Sequence, residues 1–286
     1  MKFLRRLPSL LLLAALTARA DDVAAMIAKA RAAVGSESVL NNVQAVHYTG
    51  AVEVADPKAG KTTIDVLFQN PDRQRITLAT ENGTQITGLD GYSGWIREER
   101  PKDPQSTRLA LLGIPQVKRM RANTWENLAF FSGIERVFGH VEDAGTVQLD
   151  GQPARKLIFW HDDQVYFARW FDPITGQLLL TETDDGNSIR EKGEILSGGL
   201  RFPRQIITVS KGANGTTITS TITFDKITVN EPAPDAMFAV PLPQPHTGLP
   251  GLNGPTPALT LPAPDQKNPP LPGETGPTLF QMPNLK

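Results

Sequence analysis

The residue types that carry covalent or metal chemistry are sparse in this sequence, and none of them falls at a working spacing. Cysteine is absent, which excludes a thiol nucleophile, a disulfide framework and a cysteine for lipid attachment. The four histidines, His47, His140, His161 and His246, are far apart, and none has the spacing of a metal ligand set. His161-Asp162-Asp163 is the best metal candidate, yet it falls between two strand patterns, where a polar turn is expected. Asp184-Asp185-Gly186-Asn187 opens like a calcium loop but lacks the remaining ligands and the closing glutamate, so it too reads as a hairpin turn. No glycine-rich phosphate loop and no Gly-x-Ser-x-Gly elbow occurs. The expectation is a protein with no catalytic residue, no metal and no cofactor. A hydrolase acting in the envelope is the weakest alternative.

Aromatic residues offer more. Trp95, Trp125, Phe130, Phe131, Trp160, Phe167 and Trp170 are candidate lining for a ligand cavity, although each alone reads as ordinary core. Strand alternation in Tyr166-Phe167-Ala168-Arg169-Trp170-Phe171 puts Tyr166, Ala168 and Trp170 on one face and Phe167, Arg169 and Phe171 on the other. Both faces carry aromatics, so something besides solvent must cover one of them.

The elements that position these residues are mostly strands. An amphipathic helix is expected from Asp21 or Asp22, with Val23, Met26, Ile27, Ala30 and Val34 at helical spacing and Gly35 at its end. A short helical turn follows over Ser36 to Asn42. Strand patterns then run over Val43–Val54, Thr62–Gln69, Arg73–Thr80, Thr84–Leu89 and Gly94–Arg97, with Asn70-Pro71-Asp72, Asn82-Gly83 and Asp90-Gly91 as turns. Helical character returns between Pro115 and Phe131, as one helix or as two with a turn near Asn123-Thr124. Strands resume at Thr146–Leu149, Ala154–Trp160, Val165–Phe171, Gln177–Thr183, Ser188–Leu196, Gln205–Ser210 and Thr216–Phe224. Eleven or so strands without βαβ alternation imply a mainly β, α+β fold. Its form is a single strongly curved antiparallel sheet, a half-open β-barrel, with helices over the concave face.

Both ends of the chain depart from this pattern. Lys2, Arg5 and Arg6 precede an apolar run, Leu10–Leu16, and Ala18-Arg19-Ala20 puts small residues where a signal peptidase reads. Residues 1–20 therefore read as a signal peptide cleaved after Ala20, and a run this short does not span a bilayer. Export to the periplasm, without a membrane anchor, is expected. Loss of Lys2, Arg5, Arg6 and Arg19 takes the net charge from −1 to −5, which disfavours nucleic acid and anionic membrane surfaces as partners. From Pro241 on the chain holds more than half of its 24 prolines and loses apolar periodicity, so residues 242–286 read as an extended or disordered tail.

Motif order adds a family resemblance. Phe68-Gln69-Asn70-Pro71-Asp72-Arg73-Gln74-Arg75, followed by Gly88-Leu89-Asp90-Gly91-Tyr92-Ser93-Gly94-Trp95, resembles the periplasmic lipoprotein-carrier (LolA/LolB-like) superfamily. Tyr48-Thr49-Gly50, Leu149-Asp150-Gly151-Gln152-Pro153-Ala154, the Phe171-Asp172-Pro173 to Gly176 turn and Pro234-Asp235-Ala236-Met237-Phe238 agree in order, so the resemblance spans residues 21–241. It implies a half-barrel whose apolar cavity takes the lipid of a client under a helical lid, with Trp95, Trp125, Phe130, Phe131, Trp160 and Trp170 lining the cavity. The carriers proper have arginine before the proline, where this chain has Asn70. Asn70, Arg73 and Arg75 are the candidate lid contacts. The functional expectation is a soluble periplasmic carrier or binding protein for a lipid or lipid-bearing molecule, such as a lipidated protein. The alternative is an envelope sensor of the same fold, similar to periplasmic regulators of sigma-factor signalling, with the tail as its partner-binding arm.

Overall fold

The computed structural model describes residues 9–55, 62–100, 107–212, 215–231 and 233–242, with side chains from Asp22 onward. The N-terminal elements are α1 (Ser9–Val34) and the single turn α2 (Glu37–Leu40). Strands β1 (Ala45–Val54), β2 (Thr62–Gln69), β3 (Arg73–Thr80), β4 (Gly83–Asp90), β5 (Ser93–Glu99) and β6 (Arg108–Leu111) lead into α3 (Ile114–Ala129). After a 3₁₀ turn (Ile134–Val137) come β7 (His140–Leu149), β8 (Gln152–Trp160), β9 (Tyr166–Phe171), β10 (Leu178–Thr183) and β11 (Ser188–Lys192). A small hairpin of β12 (Ile195–Ser197) and β13 (Leu200–Phe202) precedes β14 (Gln205–Lys211) and β15 (Thr217–Val229).

Thirteen of these strands form one open antiparallel sheet in the order β6-β5-β4-β3-β2-β1-β15-β14-β11-β10-β9-β8-β7. The expected half-barrel is therefore present, with β6 and β7 as its unpaired edges. The long β7 edge is broken by a bulge at Gly145, φ 82°, where the Asp143 carboxylate accepts the Gly145 N–H at 2.9 Å. Such a break blunts an edge that would otherwise template another strand.

Residues directly opposed across strands share a face, so the register separates the two sides. Tyr48, Val66, Ile76, Thr87 and Ile96 stand in line on one side. His47, Leu67, Arg75, Gly88 and Trp95 stand in line on the other. The Tyr48 side is the hollow, and α1, α3 and the β12–β13 hairpin cover it. Tyr48 packs on Phe68, Phe202 and Phe224 at ring distances of 6.1, 5.9 and 5.0 Å, within a cluster that includes Leu128 and Phe130. Each such buried side chain contributes roughly 1.5–3 kcal/mol. A second cluster joins Met26 and Ala30 of α1 and Ala122 of α3 to Leu157, Phe159, Phe167 and Phe171.

Several elements differ from the sequence reading. Residues 114–129 form one helix without a turn at Asn123-Thr124, because those polar side chains bond within the helix. Thr124 Oγ1 donates to the Met120 carbonyl at 2.9 Å, and Asn127 Nδ2 donates to the Asn123 carbonyl at 2.8 Å. Pro115, near the start of α3, lacks only an N–H that would have had no helical partner. α1 begins at Ser9 and runs through Asp21-Asp22 without a cap there. The Ser188–Leu196 pattern is two strands split at Gly193, whose φ of 65° suits glycine. β6 escaped notice because its four residues are all exposed and show no alternation. The tail, including His246, lies outside the described residues beyond Leu242.

Candidate functional site

The hollow side brings together only part of the expected aromatic set. Phe130 is buried against Phe202, with ring centroids 6.4 Å apart, and Phe131 meets Phe171 at 5.2 Å and Phe159 at 6.4 Å. Phe167 joins them from β9. Trp125, on α3, is half-buried beside Gly133. Trp95, Trp160 and Trp170 stand on the opposite, convex face, which corrects their reading as cavity lining. Alternation fixes which residues share a face but not which face the helices take. Trp160 packs at a tilt against Tyr166 at 4.7 Å, and the Lys156 ammonium lies 4.3 Å from the Trp170 ring. Trp95 is fully buried over Gly88, where any Cβ would collide with the indole, and its Nε1 donates to the Phe238 carbonyl at 2.8 Å.

The expected lid contacts are likewise elsewhere. Asn70 Nδ2 donates to the Val43 carbonyl at 3.0 Å, so it braces the start of β1. Arg73 pairs with Asp90 at 3.0 Å and Asp235 at 2.6 Å, and Arg75 donates to the Met237 carbonyl at 2.9 Å. Both arginines face the convex side and hold the 3₁₀ turn Asp235–Met237, because odd-numbered β3 positions point away from α3.

What holds α3 is a set of acids on the turns. Arg121 pairs with Asp72 at 2.8 Å, Lys118 with Asp162 at 2.9 Å, and Arg119 Nη1 donates to Asp184 at 2.8 Å. These acids sit after β2, after β8 and after β10, so the helix is tied to both wings of the sheet. The Asp162 carboxylate also accepts the Gln164 and Val165 N–H groups at 2.8 Å. Burial opposes its charge, but Lys118 and those N–H groups outweigh it and hold the carboxyl below its usual range. Both acidic motifs thus serve as turns, as expected. Among the described residues no group of His, Asp and Glu could hold a metal ion. The basic run Lys118-Arg119-Met120-Arg121 was the sequence signal that would have found this latch.

Deeper under α3 lies a charged triad. Glu126 accepts from His161 Nε2 at 2.6 Å and pairs with Arg169, whose guanidinium lies 4.9 Å from the rings of both Phe131 and Phe159. Burial alone would raise the Glu126 carboxyl, but Arg169 and His161 outweigh it and keep it ionised. Gln74 Nε2, Asn123 Nδ2 and Arg169 Nε, all buried here, have no protein partner. Glu191 projects from the same face of β11 as Ile189, opposite Ile206. Solvent reaches its side chain, yet enclosure by the hollow pushes the carboxyl up to about 7, against the pull of Arg169. Burial, and then the Glu191 charge, pushes the Tyr48 hydroxyl upward as well.

Beside this packed hollow, toward the β7 edge, an apolar recess of about 270 Å³ remains between α1 and the segment after α3. Ala24, Ile27, Ala28, Phe131, Ile134 and Val141 line it, with Arg31, Glu37, Ser132 and Glu135 at its polar margin. Arg31 is fully engaged. It donates to Glu37 Oε1 and Oε2 at 2.7 Å, Ser132 Oγ at 2.7 Å, Asn41 Oδ1 at 3.0 Å, and the Ala129 and Phe130 carbonyls at 2.8 and 2.9 Å.

An open thirteen-stranded antiparallel sheet closed on one side by two helices defines the class of half-barrel proteins. Among solved structures, the chain is similar to a LolA superfamily protein of Nitrosomonas europaea, at 15% identity and a TM-score of 0.48, over 72% of this chain and 98% of that one. A DUF1329 family protein of Desulfovibrio piger matches at 10% identity and a TM-score of 0.49, over 76% and 97%. A Pseudomonas aeruginosa MucA/MucB complex matches at 12% identity and a TM-score of 0.24, over 71% and 57%. No protein-family model and no curated protein matches the sequence. Among the described residues no helix is long and apolar enough to cross a membrane.

Proposed function

We propose that the protein is an exported periplasmic carrier or binding protein for a lipid or lipid-bearing molecule, cut after Ala20 and working without covalent chemistry. The observation that carries this reading is the attachment of α3. The helix spans the mouth of the hollow, and ion pairs to Asp72, Asp162 and Asp184 hold it at the rim. Of these, Lys118–Asp162 is the most exposed, and a pair of that kind is replaced by water at a cost of about 0–1 kcal/mol, while Arg119–Asp184 and Arg121–Asp72 are more enclosed. The apolar recess beside α1 supports the same reading, as does the order of the motifs.

A second reading is favoured by the path of the chain after β15. Its Asp235–Met237 turn is fixed to the convex face through Arg73, Arg75 and Trp95, so the described chain reaches Phe238 on the side opposite the mouth. An arm starting there could engage an envelope protein without blocking a ligand. Native mass spectrometry of the protein isolated from its own envelope, with organic extraction, tests both readings. The carrier reading expects bound lipid in the full chain and after deletion of 243–286. Protein free of lipid in every preparation would overturn it, and an envelope partner lost with the tail would support the second.

A further inference from the structure

The two edges of the sheet are finished differently. The β7 edge carries the bulge at Gly145, and the Asp143 carboxylate beside it pairs with Arg155 at 2.6 Å. The β6 edge has no such device. Its register against β5 runs without a shift, its four residues are all exposed, and none is proline. Its one charge, Arg108, stands opposite Glu98 at the start of the strand. Leu109 and Leu111 share the convex face with Trp95 and are 39% and 72% exposed. The Leu112 N–H donates to the Gly94 carbonyl at 2.8 Å, which fixes the parity of the ladder. Alternate residues of an antiparallel strand bond to a given neighbour. Ala110 and Leu112 therefore turn their backbone groups to β5, and Leu109 and Leu111 turn theirs outward, where no described strand meets them. An apolar edge of this kind is a template for another strand.

We propose that the outer side of β6 pairs antiparallel with β6 of a second copy of this chain, Leu109 opposite Leu111 and Ala110 opposite Ala110. Residues opposed across two strands share a face, and the outward-bonding residues must meet one another. For two copies related by a two-fold axis, Leu109 on Leu111 meets both conditions and uses the N–H and C=O of both leucines in each copy. The neighbouring register, Leu109 on Leu109, would set Leu111 against Thr107, outside the strand. In the favoured register the leucines of both copies form one apolar cluster on the convex face. Ala110 puts a small side chain on the axis, and Arg108 meets Leu112 of the other copy, so the two arginines are kept apart. Both hollows then lie on the same side of the joined sheet. Four residues a side is a small contact against the roughly 20–30 of a standard interface, so the dimer is a reversible one.

The test is sedimentation velocity of the exported chain, tail included, over a range of concentrations. A reversible monomer–dimer equilibrium is expected. Leu109→Pro removes an outward N–H and none that bonds β5, so it should leave the melting temperature unchanged and weaken dimerisation by about tenfold or more. Leu109→Glu should weaken it similarly, and adding Leu111→Lys should restore it, because each glutamate then faces a lysine of the other copy. Cysteine is otherwise absent, so single cysteines report the register under mild oxidation. Ala110→Cys sits on the axis at a Cα separation of about 4.5 Å, within disulfide reach, and should cross-link much faster than Leu109→Cys. A protein monomeric at every concentration, a dimer as strong in Leu109→Glu as in the wild type, or linkage at 110 no faster than at 109 would each overturn the pairing.

Discussion

Glu191 carries the clearest chemical consequence at the level of single residues. Its carboxyl is pushed up to about 7 in the folded protein against an ordinary value of 4.5, because enclosure by the surrounding hollow disfavours the charged form although solvent reaches the side chain. Between those two values the folded state keeps a proton that the unfolded chain has already released. Stability contributed by this group therefore falls as pH rises from about 4.5 to 7. His47, on the convex face, acts in the same direction over a higher range. Asp65 at 2.9 Å, against the effect of burial and with help from Glu231, raises its pKa, so its contribution is full below 6.5 and fades as pH rises. The two are separated by substitution. Glu191→Gln should lose less melting temperature than the wild type between pH 5 and 8, with the His47 component left intact. Identical pH slopes for the two proteins would mean that the hollow does not disfavour the Glu191 charge.

At the level of elements, α3 is held by charges of two kinds, and they differ in what their loss does. The rim pairs range from half-exposed Lys118–Asp162 to the more enclosed Arg119–Asp184, whereas Glu126 and Arg169 are buried beneath the helix. Glu126→Gln leaves the Arg169 guanidinium enclosed by phenylalanine rings without its carboxylate, and losing one member of a buried pair costs about 3–5 kcal/mol. Urea unfolding should show that loss, and Glu126→Leu combined with Arg169→Met should recover most of it. A double variant no better than the single one would assign the loss to α3 packing instead. This latch also marks how far the sequence could be read. The strands from Thr62 to Thr80 and the existence of α3 were legible, because period-2 alternation and turn dipeptides are local signals. Asp72, Asp162 and Asp184 read correctly as turn residues, but their pairing with Lys118, Arg121 and Arg119 depends on which turns meet across a curved sheet. The placement of Trp95, Trp160 and Trp170 failed for the same reason. Face parity is written in the strand, while the side that receives the cover is decided by long-range topology.

The whole molecule is a sheet covered on both sides, and the second cover is a strap that belongs to neither helix. After β15 the chain crosses the convex face and seats Phe238, 0% exposed, against Trp95, which is 1% exposed. Arg73 lies 5.8 Å from the Phe238 ring, and Arg75 and the Trp95 indole each donate to a strap carbonyl. Without this segment, β2 to β5 would show Leu67 and Trp95 to water, and the burial of Arg75, which with the nearby Arg97 charge lowers its pKa, would have no reason. The strap thus lets one wing of the sheet be apolar on both faces, which a one-sided half-barrel could not sustain. Phe238→Ala should accordingly behave as a core substitution, costing about 3–5 kcal/mol and moving tryptophan emission to the red as the indole of Trp95 meets solvent. Removal of residues 243–286, which leaves the strap in place, should change neither quantity. A Phe238→Ala protein with wild-type melting temperature and unshifted emission would show the convex face to be stable on its own, and the strap to be merely the root of the tail.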